Sequence, residues 1–133
     1  MKNILTLLAI FFGLGLANAQ TFDETVDYLN NFFKENEVAY FHGDGTMGHY
    51  IKEIKVEKNG KISFTDARRE IKGFFNVFDF EKFNEINKRL LLLDKNNQQI
   101  GRFSDFPPTH ISKIEKAFKH LRTLCVKEKD PFE

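Results

Sequence analysis

Two amphipathic helix patterns lie near the ends of this chain, and the segment between them alternates as strands do. Apolar residues recur at helical spacing from Phe22 to Phe33 and again from Ile111 to Cys125, which places them on one face of each helix. From Val38 to Phe106 apolar and polar residues tend to alternate instead, as is typical of half-buried strands. We therefore expect an α+β domain with an N-terminal helix, a curved antiparallel sheet of about five or six strands and a C-terminal amphipathic helix.

Capping signals predict where both helices begin. Thr21 and Glu24 match the capping box S/T-x-x-E, in which each side chain bonds a backbone N–H that the helix itself leaves unpaired. Thr109, directly after Pro108, is the expected N-cap of the second helix.

A β-hairpin is predicted around residues 58–60. A three-residue loop there sets Val56 opposite Ile62 and Glu57 opposite Lys61 as a charge pair, whereas a two-residue turn would mix polar and apolar residues on both faces. We therefore expect the glycine of this loop to adopt the left-handed conformation of a G1 bulge.

Residues 66–88 allow two interpretations. Phe78 and Phe80 alternate with their neighbours as in a strand, yet Asp79 could instead begin a single helical turn. Five phenylalanines crowd into the segment from Phe74 to Phe83, which also suggests a surface through which a structural component docks on a partner. The leucine run at 90–93 is expected to be a central strand buried on both faces.

The first nineteen residues have the three parts of a secretory signal peptide. Lys2 precedes an apolar run from Ile4 to Leu16, and small residues stand at Ala17 and Ala19. The run is too short to span a bilayer, which takes about 20 apolar residues, and the next residue is not the cysteine of a lipoprotein. We expect cleavage between Ala19 and Gln20 and a secreted or periplasmic product. The predicted organisation is a signal peptide at 1–19, one α+β domain at 20–126 and a flexible tail at 127–133.

The composition limits how the domain can be stabilised and which functions are expected of it. Cys125 is the only cysteine, so no internal disulfide can form; its place on the apolar stripe predicts a buried thiol, with a reactive or intermolecularly paired thiol as the alternative. The phenylalanines that follow the leader are expected to fill the core. Once Lys2 is removed, basic and acidic residues balance, which argues against general nucleic-acid binding.

The most conspicuous motif lies between two predicted strands. Gly43–Gly48 matches G-x-G-x-x-G, but a strand and not a helix follows it, so we interpret it as a hairpin connection. His42, Asp44 and His49 flank this turn and are the candidate metal ligands; ordinary polar turn residues are the expected interpretation, because no established metal-binding spacing is present. We expect no cofactor and assign no catalytic residue, since no serine lies in a G-x-S-x-G context.

The outer face of the C-terminal helix is rich in cations. A basic amphipathic helix can lie on an anionic membrane surface, although such a face is more often simply solvated. Peripheral membrane contact through this helix is therefore an alternative to a solvated face. The cations are Lys113, Lys116, Lys119, Arg122 and Lys127.

The two ends of the chain resemble small exported bacterial proteins of uncharacterised function. The shared features are a leader ending in Ala-Gln, a T-x-x-E-T helix start at 21–25 and a final helix with the sequence KAFKHL at 116–121. The order of helix, antiparallel strands and helix is also similar to a pleckstrin-homology-like sheet closed by a C-terminal helix. The resemblance implies no catalytic residues and says little about function. We expect a non-enzymatic binding or interaction module of the cell envelope or medium, whose partner is a protein or a small apolar ligand. A small secreted hydrolase is the alternative.

Overall fold

The computed structural model describes residues 20–129 and residue 132, so the predicted signal peptide and part of the predicted tail lie outside the described residues. Helix α1 comprises Phe22–Glu35 and helix α2 comprises Ile111–Leu124, which follows a 3₁₀ turn at Pro108–His110. Within the described part of the chain, no helix has the length and apolar character needed to cross a membrane. The strands are β1 Ala39–His42, β2 Gly48–Tyr50, β3 Glu53–Val56, β4 Lys61–Thr65, β5 Ile71–Asn76, β6 Lys82–Ile86, β7 Arg89–Leu93 and β8 Gln99–Ser104.

The strands form two antiparallel sheets, with the orders β2-β1-β8-β7-β6 and β3-β4-β5. The predicted α+β class, with antiparallel strands between two helices, is confirmed. The strands outnumber the expected five or six partly because the alternating stretch after His49 divides. The Ile51 N–H still donates to Val38 of the first sheet, whereas the Lys52 N–H already donates to Thr65 of the second. The chain therefore changes sheets between these two residues.

The hairpin between β3 and β4 has the predicted register. Val56 pairs with Ile62, and Gly60 has a φ of +93°, a conformation that glycine adopts at little cost. The Glu57 N–H donates to the Lys61 carbonyl oxygen at 2.9 Å. The predicted ion pair between these two side chains is not among those formed by the described residues, because the Lys61 ammonium lies over an aromatic ring of β5 instead.

The stretch at 66–88 forms β5 and β6, joined by a turn at 77–79, so the interpretation of a helical turn is wrong. The strand interpretation is wrong for Phe78 and Phe80 themselves, which lie in the connection between the two strands. Asn87 and Lys88 both have positive φ, of 50° and 65°, as the two central residues of a type I′ turn require. This turn joins β6 to β7, which lies between β6 and β8 as the predicted central strand. Within β5, the exposed Phe74 and the buried Phe75 lie on opposite faces, as the period of two of a strand requires.

The caps of the two helices differ. Thr21 caps α1 as predicted, because its Oγ1 accepts the Glu24 N–H at 3.2 Å. Thr109 does not cap α2: its hydroxyl contacts His110 Nδ1 at 3.1 Å, and the helix continues from the preceding 3₁₀ turn. The prolines at 107 and 108 favour that tight turn before the helix.

Phenylalanine dominates the core, as its abundance predicts. Phe33, Phe64, Phe103 and Phe118 are at most 1% exposed, and each contacts several other aromatic rings. Cys125 is buried as predicted, and this burial raises the pKa of its thiol. Large apolar side chains shared by both sheets and both helices thus hold the domain together.

Candidate functional site

Tyr40 joins the two sheets where no backbone ladder does. In the described chain β1 and β5 contact each other but share no strand pairing. The Tyr40 ring, 1% exposed, lies between Gly73 of β5 and Gly101 of β8, each too close to the ring to carry a side chain. Its hydroxyl donates to the Phe74 carbonyl oxygen at 3.3 Å. A side chain therefore spans the boundary between the sheets, and a gap remains beside it.

That gap, which we call the inter-sheet cleft, has a volume of about 430 Å³. Small-molecule sites in proteins usually span about 300–1,000 Å³ and combine apolar walls with a few polar groups. The cleft has this mixed character, since aromatic and aliphatic side chains line it together with amides and charged groups. Its lining residues are His42, Asn59, Lys61, Phe74, Phe75, Asn76, Asp79, Ile100 and Glu128.

Phe74 provides an accessible aromatic surface in the cleft. It is 47% exposed, although a phenylalanine in a strand gains free energy from burial. The His42 ring lies 4.9 Å from the Phe74 ring at an angle of 37°, and the Lys61 ammonium lies 4.9 Å from the centre of the same ring. The described residues place no carboxylate within 4.0 Å of that ammonium. An apolar surface and a cation without a carboxylate partner therefore lie side by side in the described chain.

The free edge of β5 adds backbone donors to the cleft. The Val77 N–H donates to Gly60 of the preceding hairpin, and hydrogen-bonded pairs alternate with non-bonded pairs along an antiparallel ladder. Phe74 and Asn76 are therefore in non-bonded pairs and direct their N–H and C=O groups away from β4. Both carbonyls have partners, the Tyr40 hydroxyl and the Asp79 N–H. The two N–H groups have none among the described residues.

The amides and acids at the rim are held by the hairpin. Asn59 Nδ2 donates to Glu128 Oε1 at 3.1 Å, and Asn76 Nδ2 donates to the Asn59 carbonyl oxygen at 3.3 Å. Asn76 Oδ1 accepts the Phe78 N–H at 2.9 Å. These bonds fix the shape of the rim, and they tie the Glu128 carboxylate to a neutral amide.

The predicted metal candidates do not converge. His42 lines the cleft, and Asp44 is exposed in the turn. His49 lies on β2, where it is the strand-pairing partner of Tyr40 on β1. Within residues 20–129 and residue 132, no group of three or more His, Cys, Asp or Glu side chains is placed to hold a metal ion. The glycine motif is a hairpin connection as expected: it joins β1 to β2, and Gly43 has a φ of +57°.

The basic face of α2 is partly neutralised. Lys119 pairs with Glu115 at 3.0 Å, and the Arg122 guanidinium donates to the Phe80 carbonyl oxygen and lies 3.9 Å from Glu81. Arg122 thus links α2 to the segment before β6, whereas the Lys119 pair lies within the helix. Both cations are therefore less available to an anionic membrane surface than the sequence alone suggests.

Sequence reasoning missed Lys61 and Phe74 as site residues. The crowding of phenylalanines from Phe74 to Phe83 was a usable signal, but nothing in it distinguishes the exposed ring from the buried ones. Phe75, Phe80 and Phe83 lie in the core at 1–9% exposure. Phe74 is exposed because it lies on the outer face of the smaller sheet, whereas Phe75 of the same strand faces the core.

No protein-family model matches the chain, and no curated protein matches it. Among solved structures it is similar to a chain described as "PH domain from TgAPH", with 12% sequence identity and a TM-score of 0.38. The similarity covers 75% of this chain and 93% of that chain. At this score it carries no argument about ligands or partners.

Proposed function

We propose that the chain is exported and acts as a non-enzymatic binding module that takes a small, largely apolar ligand in the inter-sheet cleft. The observation that carries the proposal is the half-exposed Phe74 ring in a cleft of about 430 Å³. An exposed ring with room beside it gains free energy when an apolar ligand covers it. Nothing in the geometry of the described residues favours the hydrolase alternative.

Export is supported by the signal peptide pattern and by the way the domain begins. His120 Nε2 donates to the Gln20 carbonyl oxygen at 2.6 Å, and Thr21 caps α1 directly afterwards. A chain cleaved after Ala19 keeps both contacts. The test is the intact mass of a C-terminally tagged chain in cytoplasmic, envelope and medium fractions. We expect a product lacking residues 1–19 outside the cytoplasm; a full-length cytoplasmic product would overturn export.

Ligand binding is tested with 2-naphthamide, a neutral bicyclic probe. We expect its addition to the ¹⁵N-labelled chain from Gln20 onward to shift the amide signals of His42, Lys61 and Phe74. Phe74→Ala should abolish those shifts, because it removes the aromatic surface. Ile71→Ala is the matched control, since Ile71 is an exposed apolar residue of the same strand outside the cleft lining. Equal binding by both variants would place the probe elsewhere and overturn the proposed site.

A further inference from the structure

We infer that the ligand of the inter-sheet cleft is an aromatic carboxylate, whose ring covers Phe74 and whose anionic group is bound by Lys61 and a backbone N–H of the β5 edge. This inference rests on the proposed function and adds the chemical class of the ligand. A neutral apolar ligand would use the ring alone. It would leave the Lys61 ammonium and the N–H groups of the β5 edge without partners. These donors indicate that the ligand also carries a hydrogen-bond acceptor.

The first polar group beside the Phe74 ring is the Lys61 ammonium. Lys61 is the diagonal cross-strand neighbour of Phe74 on the outer face of the smaller sheet, and its ammonium lies 4.9 Å from the ring centre. Within the described chain it has no carboxylate partner. A ligand lying on Phe74 would therefore have this charge beside it, and a carboxylate makes a charge-assisted hydrogen bond with an ammonium, which is about twice as strong as a neutral one.

The second set of polar groups beside the ring consists of the backbone N–H donors at the edge of β5. The N–H groups of Phe74 and Asn76 point away from β4 at the free edge of β5, and both residues line the cleft. The edge of a sheet can form an anion-binding concavity. Two residues of a strand span about 6.6 Å, which is too far for one carboxylate to accept both bonds. One N–H therefore joins Lys61 at the anion, and the other is left for a neutral acceptor such as a carbonyl oxygen.

Two carboxylates line the cleft, Asp79 and Glu128, and both repel an anionic ligand. Glu128 is exposed, so solvent screens its charge, and its Oε1 accepts a hydrogen bond from Asn59 Nδ2 at 3.1 Å. Asp79 is exposed at the rim, where water and salt screen its charge. The Lys61 ammonium, in contrast, lies directly at the ring. Asp79→Asn should therefore tighten anion binding modestly, without creating it.

The experiment compares 2-naphthoate with 2-naphthamide, which has the same ring system and a neutral amide. Dissociation constants are measured by calorimetry on the chain from Gln20 onward, and binding is mapped through the ¹⁵N amide signals. We expect the naphthoate to bind about tenfold more tightly, the ratio for one charge-assisted hydrogen bond. We also expect a downfield shift of the Phe74 or Asn76 N–H that only the anion produces.

Lys61→Gln should remove this tenfold preference and leave naphthamide binding unchanged. Lys58→Gln is the matched control, because Lys58 lies on the same hairpin and also covers a ring, with its ammonium 3.6 Å from the centre of Phe22, but does not line the cleft. Equal affinity for the two probes would overturn the anion assignment and leave the proposed function standing. Failure of both probes to bind would overturn both. A preference that survives Lys61→Gln would also overturn the role of Lys61.

Discussion

Gly73→Ala tests the packing that joins the two sheets. A Cβ atom at Gly73 would lie 2.6 Å from Cδ1 of Tyr40, whereas carbon atoms in contact are about 3.5–4.0 Å apart. The ring cannot retreat easily, since the Phe64 and Phe103 rings lie 4.3 and 5.5 Å from it. The substitution therefore adds a methyl group where both sheets are already in contact.

Two opposing effects set the magnitude for Gly73→Ala. Overpacking of a filled core costs about 1–3 kcal/mol, whereas replacing glycine stabilises by about 0.4–1 kcal/mol because the unfolded chain loses freedom. We expect a net loss of about 1–2 kcal/mol in the free energy of unfolding. For a domain of this size that corresponds to a fall in Tm of about 4–10 °C.

Urea unfolding followed by far-UV circular dichroism measures this loss, and Gly101→Ala provides an internal comparison. A Cβ atom at Gly101 would meet the Tyr40 hydroxyl oxygen at 2.5 Å, whereas one at Gly73 meets the ring itself. Tyr40→Phe should therefore relieve part of the Gly101→Ala loss and none of the Gly73→Ala loss. An unchanged or raised stability of Gly73→Ala, or equal relief of both variants, would refute this account of the packing.

Three further predictions concern stability. Gly60→Ala should lower the free energy of unfolding by about 2 kcal/mol in urea titrations, because alanine is strained at a φ of +93° and its Cβ would lie within 2.9 Å of Val77; an unchanged midpoint would contradict the bulge. Thr21→Ala should lower the free energy of unfolding by about 1 kcal/mol, because the N-cap is lost. Thr21→Ser should keep most of this stability, because serine also caps; equal losses in both variants would contradict the cap. Burial raises the pKa of Tyr40 above its ordinary value of 10.0, so the folded state disfavours the phenolate, and stability present below pH 10 is lost as the pH rises further. Tyr40→Phe should reduce the fall in Tm between pH 9 and pH 11, and an identical fall would contradict the assignment.

The elements that local chemistry determines could be predicted from the sequence. Thr21 and Glu24 specify the start of α1, because a cap depends only on residues three positions apart. The hairpin at 58–60 was predicted in its correct register, since only a three-residue loop keeps Val56 and Ile62 on one face.

Other features depend on distant residues and could not be predicted. The change of sheets at Ile51 is set by hydrogen bonds to Val38 and Thr65, and the first and last of these three positions are 27 residues apart in the sequence. Phe74 and the buried Phe75, Phe80 and Phe83 are the same residue type, so the sequence does not distinguish them. Their different exposure follows from whether each faces the core, which depends on how the two sheets and helices pack together.

The same residue that closes the core also keeps the cleft open. If β1 and β5 were paired through their backbones, the N–H groups of Phe74 and Asn76 would be consumed by the ladder. Tyr40 instead takes only the carbonyl of Phe74 and, with Gly73 beside its ring, holds the two strands a side chain apart. An unpaired sheet edge normally invites association with another chain. Here β1 covers part of that edge, so the space that remains suits a small ligand better than an added strand. The core tyrosine and the proposed binding site are two consequences of one packing arrangement.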